Sequence, residues 1–290
     1  MTAERQAERQ AQIESRQAEA AAAYPTRWVK MTGEWRQAGD DRAWLVYAAN
    51  YLFRTGGVRW ALDPLTLRQR VRWAPEANLN RLSGLSFVLL THRHADHLDY
   101  PLIRTLRQRP IRWVIPEAIL PLVLERCGLP ESQVIIPRPL EPLQIEGMRI
   151  TPFEGLHWEP PAAEGGAARG VEALGYLVEW AGKRWLFPGD VRDYDLRKMP
   201  DFGRLDGAFA HLWLGRGGAL LDQPPLLEAF CAFYAGLPAR RLVVAHLHEL
   251  GRQAEDTWNE EHYLQAAARL RQLAPGRPVQ AARMGESLVL

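Results

Sequence analysis

Short apolar runs separated by turn residues dominate the chain from about residue 40 onwards. Runs of roughly four to eight residues that are apolar or alternate, and that end at Gly, Pro or Asp, are typical of β-strands. The runs of this kind are AWLVYAANYLFRT (43–55), VRWALDP (58–64), GLSFVLLT (84–91), RWVIP (112–116), SQVIIP (132–137), MRITPF (148–153), GYLVEW (175–180), KRWLFPGD (183–190), LDGAFAHLWL (205–214) and RLVVAHLH (241–248). Ala181-Gly182 is the whole connection between two of them, which predicts a β-hairpin.

Helical spacing appears between the strands. Large apolar side chains recur three and four positions apart, the spacing of one helix face, in 101–110, 116–129, 225–237 and 260–276. Residues 75–83 have a pattern typical of a further helix. Residues 160–172, which include a pair of glycines, are typical of a loop. Many short strands with interleaved helices predict a layered domain that contains both kinds of element.

The N-terminal segment has a different pattern. Residues 2–23 are strong helix formers, and Ile13 is their only large aliphatic side chain. Because a helix that is polar all round buries little surface, we expect a solvated or frayed extension. An arm that docks on another subunit is the alternative. The sequence therefore predicts a polar helical extension at 1–24 and one domain at 25–290.

Composition restricts the setting and the partners. The 290 residues, 47% of them hydrophobic, suffice for one domain with a large core. The net charge of +2 does not indicate nucleic acid or an anionic membrane as a partner. Met1 to Ala23 lacks the apolar core of a signal peptide, and no run approaches the ~18 apolar residues of a membrane span. Two isolated cysteines, Cys127 and Cys231, favour a reduced cytoplasmic setting.

Residues 91–99, THRHADHLD, concentrate the candidate chemistry directly after an apolar run. His92 and His94 are two positions apart, so in extended backbone both imidazoles can face one ion. Asp96 and His97 are adjacent and project differently, which suits a second ion beside the first. Imidazole nitrogen and carboxylate oxygen are common ligands of divalent transition metals. The segment therefore predicts a metal site where a strand gives way to a loop.

The spacing H-x-H-x-D-H after a buried strand resembles the signature of the metallo-β-lactamase superfamily. The longer string HRHADHLD, followed by a helix that begins PLIRTL, is similar to the branch of N-acyl-phosphatidylethanolamine phospholipase D and the ascorbate-phosphate lactonase-like proteins. The resemblance extends from about residue 40 to the end. It implies an α+β fold, the four-layer αββα sandwich of the metallo-β-lactamase type.

The resemblance also implies three downstream ligands in a fixed order: a histidine, an aspartate between two metals, and a last histidine. His157 in FEGLHWEP, Asp190 in KRWLFPGD and His246 in RLVVAHLH follow this order. His248 is the alternative to His246, because both would face the same side if the strand continued. We favour His246, which directly follows the apolar run, and expect His248 to support the ligands, face the substrate or lie on the surface. One ion would then bind His92, His94 and His157, and the other Asp96, His97 and His246, with Asp190 between them.

Other residues are expected near this centre. The resemblance implies that Asp63, in ALDP, supports the metal loop through hydrogen bonds, and Asp99 is expected to be structural as well. Ligating imidazoles commonly hand their second N–H to such carboxylates. Arg216, in LGRGGA, and Arg93 are candidate contacts for an anionic group of the substrate. Residues 158–161 would form a wall or lid.

The remaining histidines and cysteines are given structural roles. We expect His211 to be structural and His262 to be exposed on the C-terminal helix. Cys127 and Cys231 lie in core-like helical runs, and the chain has no G-x-S-x-G nucleophile motif. A serine or cysteine nucleophile is therefore not expected.

The chemistry that follows is hydrolysis. Two divalent ions ~3.5–4 Å apart lower the pKa of a shared water, and the bridging hydroxide would attack a phosphorus or carbonyl carbon. Asp96 would orient the water and accept its proton. We expect a small anionic or ester substrate, namely a phosphodiester, lactone or related ester, and two metal ions, with zinc favoured and manganese, iron or nickel able to occupy similar sites. A mononuclear iron oxygenase or oxidoreductase on the same fold, and a non-catalytic metal-binding protein, are the alternatives. Assembly into a homo-oligomer is left open.

Overall fold

The computed structural model describes residues 3–67, 76–159 and 168–290, with the side chains of 3, 76 and 77 left aside. Most of the predicted loop at 160–172, and residues 160–161 of the predicted wall, lie outside this part of the chain. None of the helices described here is both long enough and apolar enough to cross a bilayer.

Two seven-stranded mixed sheets form the centre of the described structure. The strands are β1 (Arg42–Leu45), β2 (Tyr51–Thr55), β3 (Val58–Leu62), β4 (Phe87–Leu89), β5 (Arg112–Val114), β6 (Val134–Ile135), β7 (Leu143–Ile145), β8 (Met148–Glu154), β9 (Leu174–Trp180), β10 (Lys183–Phe187), β11 (Gly207–His211), β12 (Leu242–Ala245), β13 (Val279–Ala281) and β14 (Ser287–Val289). The order is β14-β1-β2-β3-β4-β5-β6 in the first sheet and β13-β12-β11-β10-β9-β8-β7 in the second. The predicted hairpin is confirmed, since β9 and β10 pair antiparallel across Ala181 and Gly182.

Helices cover both outer faces of the sheet pair. The α-helices are α1 (Ala3–Gln37), α2 (Glu76–Leu79), α3 (Tyr100–Leu106), α4 (Leu120–Cys127), α5 (Leu227–Gly236) and α6 (Glu260–Leu273). Short 3-10 helices occupy Asn80–Leu82, Glu117–Ile119, Glu131–Gln133, Leu196–Lys198, Gly218–Leu220 and Ala254–Asp256. Strands β7, β13 and β14 were not predicted from the apolar pattern.

Three separate apolar cores define four layers. Successive residues of β4 show the division, because Phe87 and Leu89 enter the core between the sheets while Val88 enters the core under α1, α3 and α4. In β12, Val243 likewise faces the other sheet and Val244 faces α5 and α6. This alternation is the period-two geometry of a strand. The predicted αββα sandwich of the α+β class is confirmed.

Helix α1 runs through the predicted boundary at residue 24. Its C-terminal half packs on the first sheet with Tyr24, Trp28 and Trp35 each at most 1% exposed. In the N-terminal half Ile13 is 8% exposed, and Arg9 Nη2 donates to the Thr257 carbonyl over 2.9 Å. The N-terminal half is thus held along one edge of the domain. The division into 1–24 and 25–290 stays a prediction.

One edge of the sandwich collects the ends of several strands. Strands β3 and β4 run parallel in the first sheet, and β10, β11 and β12 run parallel in the second. Because parallel strands end on the same side, the loops that follow them meet at one edge, where sites are commonly built. The segments after β4, β8, β10 and β12 carry the residues predicted as ligands, and the segment after β3 carries Asp63.

The expectation that His262 is exposed was wrong. Its side chain is buried, because it closes the first turn of α6 rather than pointing to solvent. His262 Nδ1 accepts from the Asn259 backbone N–H over 3.2 Å, and Nε2 lies 3.3 Å from the Ala219 carbonyl. The two cysteines are buried in helices, as predicted.

Candidate metal centre

The structure brings together all seven residues predicted as ligands. They come from loops after four different strands, and all but the half-buried His94 are buried: His92, His94, Asp96, His97, His157, Asp190 and His246. They form two adjoining groups around a shared space.

The first group consists of three histidines. One ring nitrogen from each of His92, His94 and His157 lies within 4.8 Å of the other two. His92 Nε2 and His94 Nδ1 are 3.1 Å apart. Burial lowers the pKa of His157 to about 3 and holds the pKa of His92 well below its ordinary value. Neutral imidazoles keep a lone pair for a metal, so this group could hold one cation.

The second group combines imidazoles with carboxylates. Ligand atoms of Asp96, His97 and His246 lie within 4.8 Å of one another. Asp190 Oδ2 lies 3.4 Å from His97 Nε2 and 3.8 Å from His246 Nε2. The ring centroids of His92 and His97 are 4.1 Å apart, so the second group adjoins the first. Two cations, one at each group, would therefore lie side by side.

Three buried imidazole nitrogen atoms of the centre have no hydrogen-bond partner among the described residues. The Nε2 atoms of His97, His157 and His246 accept and donate no hydrogen bond within the described chain. A buried polar atom without a partner costs about 1–3 kcal/mol. A cation bound between these imidazoles would provide the missing partner, so the side chains fit the divalent metals that the resemblance implies.

The charges of the second group also favour a cation. Burial alone would lower the pKa of His97, but the carboxylates of Asp190 and Asp63 outweigh it and raise the pKa well above its ordinary value. Burial would raise the pKa of Asp190, but His246, His97 and a hydrogen bond from His211 hold it well below its ordinary value. The pocket stabilises positive charge at the imidazoles and negative charge at the carboxylate.

A buried aspartate after β3 orients the histidine loop. Asp63 Oδ1 accepts from the Thr91 backbone N–H over 2.7 Å, and Oδ2 accepts from the Thr91 hydroxyl over 2.5 Å. Asp63 Oδ2 also lies 2.8 Å from His97 Nδ1. An acceptor at Nδ1 keeps the proton there and leaves Nε2 free to face the centre. On the opposite side, His211 Nδ1 lies 2.9 Å from Asp190 Oδ1 and supports that carboxylate.

Asp99 supports the loop from further away. It caps α3 by accepting from the Leu102 backbone N–H over 3.0 Å. Its other oxygen accepts from the Thr66 backbone N–H and hydroxyl over 2.8 and 2.6 Å. These bonds tie the start of α3 to the segment that follows Asp63.

The backbone separates His246 from His248. Strand β12 ends at Ala245, and both histidines have positive φ angles, 72° and 56°, in a region that non-glycine residues rarely adopt. The alternation assumed from the sequence therefore does not continue past the strand. His246 joins the second group, whereas the exposed His248 lines a groove beside α1 with Arg16 and Arg283.

Arginines lie at the border of the centre. Arg216 donates to Glu159 through Nε and Nη2 over 3.0 and 2.6 Å, and its side chain is 46% exposed. Arg192 Nη1 donates to the same carboxylate over 2.7 Å and is 9% exposed. The positive charge of Arg192 lowers the pKa values of His94 and His157, behind burial as the larger cause, so Arg192 acts on the first group. Sequence reasoning found Arg216 and did not find Arg192.

Two further residues of the centre were not predicted. Glu249 is 2% exposed, and its Oε1 lies 3.6 Å from His246 Nε2. Arg252 forms an ion pair with Glu249, and its Nη2 donates to Asp96 Oδ2 over 3.3 Å. The only signal in the sequence is the nearness of Glu249 to His246, three positions along the chain.

Comparison with known proteins identifies the family. A family model described as the beta-lactamase superfamily domain matches residues 59–247, more than half of the chain. The chain belongs to this superfamily. A protein of Cupriavidus metallidurans named UPF0173 metal-dependent hydrolase is 28% identical over 163 residues, which cover 51% of this chain and 54% of the relative. The match thus spans about half the length of that curated relative.

Solved structures share the fold at low sequence identity. Igni18, a metallo hydrolase from the archaeon Ignicoccus hospitalis, matches with a TM-score of 0.61 and 16% identity over 86% of this chain and 97% of its own. CmlA, a diiron beta-hydroxylase from Streptomyces venezuelae, matches with a TM-score of 0.59 and 17% identity over 88% of this chain and 55% of its own. At these identities the likeness concerns the fold alone.

Proposed function

We propose that this chain is a dinuclear metal-dependent hydrolase that acts on an anionic phosphodiester, lactone or related ester. The main support is the pair of adjoining groups, in which the Nε2 atoms of His97 and His246 face the carboxylates of Asp96 and Asp190 and the ring of His157 lies beside those of His92 and His94. The metal-dependent hydrolase name of the Cupriavidus metallidurans relative supports it. The similarity of HRHADHLD to the phospholipase D and lactonase branch supports the choice of substrate class.

Each side chain has a role in this reaction. When bound, a pair of divalent ions, with zinc as the expected metal, supplies an activated water and a Lewis acid for the substrate oxygen. His92, His94 and His157 would hold one ion, Asp96, His97 and His246 the other, and Asp190 would lie between them. Asp96 would orient the water and accept its proton. His246 and His97 outweigh burial and hold the pKa of Asp96 well below its ordinary value, so the carboxylate is in the ionised form that this role requires.

No protein nucleophile is required. Burial raises the pKa of Cys127 to about 11 and that of Cys231 to about 12. Thiols with such pKa values are poor nucleophiles at neutral pH, because the thiolate is the reactive form. Within the described residues both cysteines pack in apolar cores away from the centre.

An anionic substrate suits the border of the site. Arg192 and Arg216 share one carboxylate, Glu159, so this trio has a net charge of +1 with the side chains ionised. Arg192 also influences the histidines of the first group. We therefore propose that the positive charge of the two guanidinium groups attracts and orients the negative group of the substrate.

Metal analysis followed by a substrate panel tests the proposal. Protein is purified, its metal content is measured by plasma mass spectrometry, and turnover is measured on esters, lactones and phosphodiesters, including bis-p-nitrophenyl phosphate. His94→Ala and Asp190→Ala are expected to abolish turnover and to lower bound metal. The control is Asp222→Ala, at an exposed loop position outside the centre. Unchanged metal content in both site variants would contradict the ligand assignment.

An iron-dependent oxygenase is the second candidate. The carboxylate-rich surroundings of His246, with Asp96, Asp190 and Glu249, favour it, because such ligands suit iron as well as zinc. Oxygen consumption by the iron-loaded protein separates the two functions. An intact metal centre without turnover or oxygen consumption on a broad panel would instead favour a non-catalytic metal-binding protein.

A further inference from the structure

Glu249 is buried beside the second group, and its oxygen Oε1 has no hydrogen-bond donor among the described residues. It lies in the segment after β12 and is 2% exposed. Its Oε2 forms the ion pair with Arg252 Nε, whereas Oε1 lies 3.6 Å from His246 Nε2. Among the described residues Oε1 accepts no hydrogen bond. A buried carboxylate is strongly destabilised unless both its charge and its lone pairs are satisfied, so Oε1 needs a partner.

We propose that Glu249 Oε1 is an additional ligand of the second metal, beside Asp96, His97, His246 and Asp190. This inference rests on the dinuclear centre proposed above. Two ligand atoms that are each ~2.1 Å from one ion are separated by at most ~4.2 Å. Measured from His246 Nε2, the separations are 3.8 Å to Asp96 Oδ2, 3.8 Å to Asp190 Oδ2 and 3.6 Å to Glu249 Oε1. Glu249 meets this geometric limit as well as the two predicted carboxylates do.

The charge balance leads to the same conclusion. With all three side chains ionised, Asp96, Asp190 and Glu249 place three negative charges within 4 Å of one imidazole nitrogen. Arg252 contacts Asp96 and Glu249 and supplies one positive charge, which leaves two negative charges when the imidazoles are neutral. A divalent cation removes that remainder. Because Arg252 pairs with Oε2, the Glu249 carboxylate presents Oε1 to His246 Nε2, where the proposed cation would bind.

The two metal positions then differ in chemistry. The first offers three imidazoles, to which the proposed arrangement would add a share of Asp190, and such a nitrogen-rich set suits zinc. The second offers three carboxylates with two imidazoles, a larger and more oxygen-rich set that suits manganese or ferrous iron. Glu249 is thus expected to set the metal preference of the second position.

Metal-binding titrations of variants test the role of Glu249. Metal-free protein is dialysed to equilibrium against Mn²⁺ or Zn²⁺, and bound metal is measured by plasma mass spectrometry. Glu249→Gln is expected to weaken Mn²⁺ binding at one of two sites by about 10- to 100-fold, a typical effect of removing a metal-supporting group, and to weaken Zn²⁺ binding less. The matched control is Glu260→Gln, which removes another arginine-paired glutamate, on the exposed side of α6.

Arg252 variants separate ligation from ion pairing. Arg252→Gln is expected to keep Mn²⁺ affinity within about threefold or to raise it, because Oε1 remains and one positive charge leaves. The double variant Glu249→Gln with Arg252→Met removes the pair as a unit, which avoids an unpaired buried charge, and is expected to lose Mn²⁺ as Glu249→Gln does. Circular dichroism verifies that each variant is folded.

Three outcomes would overturn the inference. Two Mn²⁺ ions bound with unchanged affinity by Glu249→Gln would exclude ligation and leave the dinuclear centre standing. Equal weakening by Glu249→Gln and Arg252→Gln would assign Glu249 to the ion pair alone. Wild-type protein that binds neither Mn²⁺ nor Zn²⁺ would refute the proposed function and this inference with it.

Discussion

Replacement of Asp63 by asparagine tests how the protein controls the proton on His97, a proposed metal ligand. The Asp63 carboxylate is 0% exposed and accepts from Thr91 and from His97 Nδ1. An asparagine oxygen can still accept from the Thr91 backbone N–H, but its NH₂ group then faces the Thr91 hydroxyl and His97 Nδ1. The hydroxyl can turn to accept. His97 must move its proton to Nε2, the atom that should face the cation.

The size of the effect follows from these contacts. Asp63→Asn exchanges charge-assisted hydrogen bonds for neutral ones, so the free energy of unfolding of the metal-free protein should fall by about 1–3 kcal/mol. Metal binding requires the Nε2 proton to be removed, so affinity at the second site should fall by about 10- to 100-fold, the usual range for losing such a supporting carboxylate. That range corresponds to about 1.4–2.8 kcal/mol of binding free energy.

Asp99→Asn is the matched control. Asp99 is also a buried carboxylate with three donors, from Thr66 and Leu102, but it contacts no histidine of the centre among the described residues. Urea denaturation of metal-free protein should give similar losses of stability for the two variants. Isothermal titration with Zn²⁺ should give a large loss of affinity for Asp63→Asn and a change of about twofold or less for Asp99→Asn. Equal losses of affinity would refute tautomer control by Asp63.

Three further predictions concern residues that are not themselves proposed metal ligands. Burial raises the pKa of Asp41, but hydrogen bonds from an indole, a lysine and a peptide N–H outweigh it, so the pKa is lowered; Asp41→Asn should therefore cost about 1 kcal/mol at pH 7 in urea denaturation. The stability from ionised Asp41 is present above the unfolded-state pKa and is lost as the pH falls through the lower folded-state pKa. The loss of stability in Asp41→Asn should therefore shrink towards pH 2. At every pH it should be larger than the loss in Asp40→Asn, which replaces an exposed aspartate. Cys127 and Cys231, with pKa values of about 11 and 12, should not react with Ellman's reagent until the protein is unfolded; fast reaction of the native protein would contradict their burial. His211→Gln should weaken metal binding by about tenfold, because His211 Nδ1 supports the aspartate between the two groups at 2.9 Å; unchanged affinity would contradict that role.

Local sequence patterns were sufficient for most of the strands and for the histidine loop, but not for β7, β13 and β14. The pattern of short apolar or alternating runs predicted β3, β4, β9 and β10. Each of these strands has one face towards the core between the sheets and the other towards a core covered by helices. The alternation failed at the end of β12, where the positive φ angles of His246 and His248 end the extended backbone, so that His246 is buried in the second group and His248 is exposed. Such a backbone conformation depends on tertiary contacts, for example the hydrogen bond from the His246 N–H to the Ala48 carbonyl.

Long-range polar pairing was beyond sequence reasoning. Arg252 reaches Asp96 across 156 positions, and a single arginine or glutamate is indistinguishable from the 36 basic and 34 acidic residues of the chain. The burial of His262 was missed for a related reason, since its contact with the Ala219 carbonyl joins two distant segments. The downstream residues His157 and Asp190 were found because the family resemblance supplied their order, not because their spacing did.

Anomalous diffraction from crystals grown with zinc tests the two-metal centre most directly. Difference maps calculated from data on both sides of the zinc absorption edge are predicted to contain two peaks about 3.5–4 Å apart. One should contact His92, His94 and His157, and the other Asp96, His97 and His246, with Asp190 between them. A map with no peak at these residues, or with the metal held elsewhere, would contradict the account.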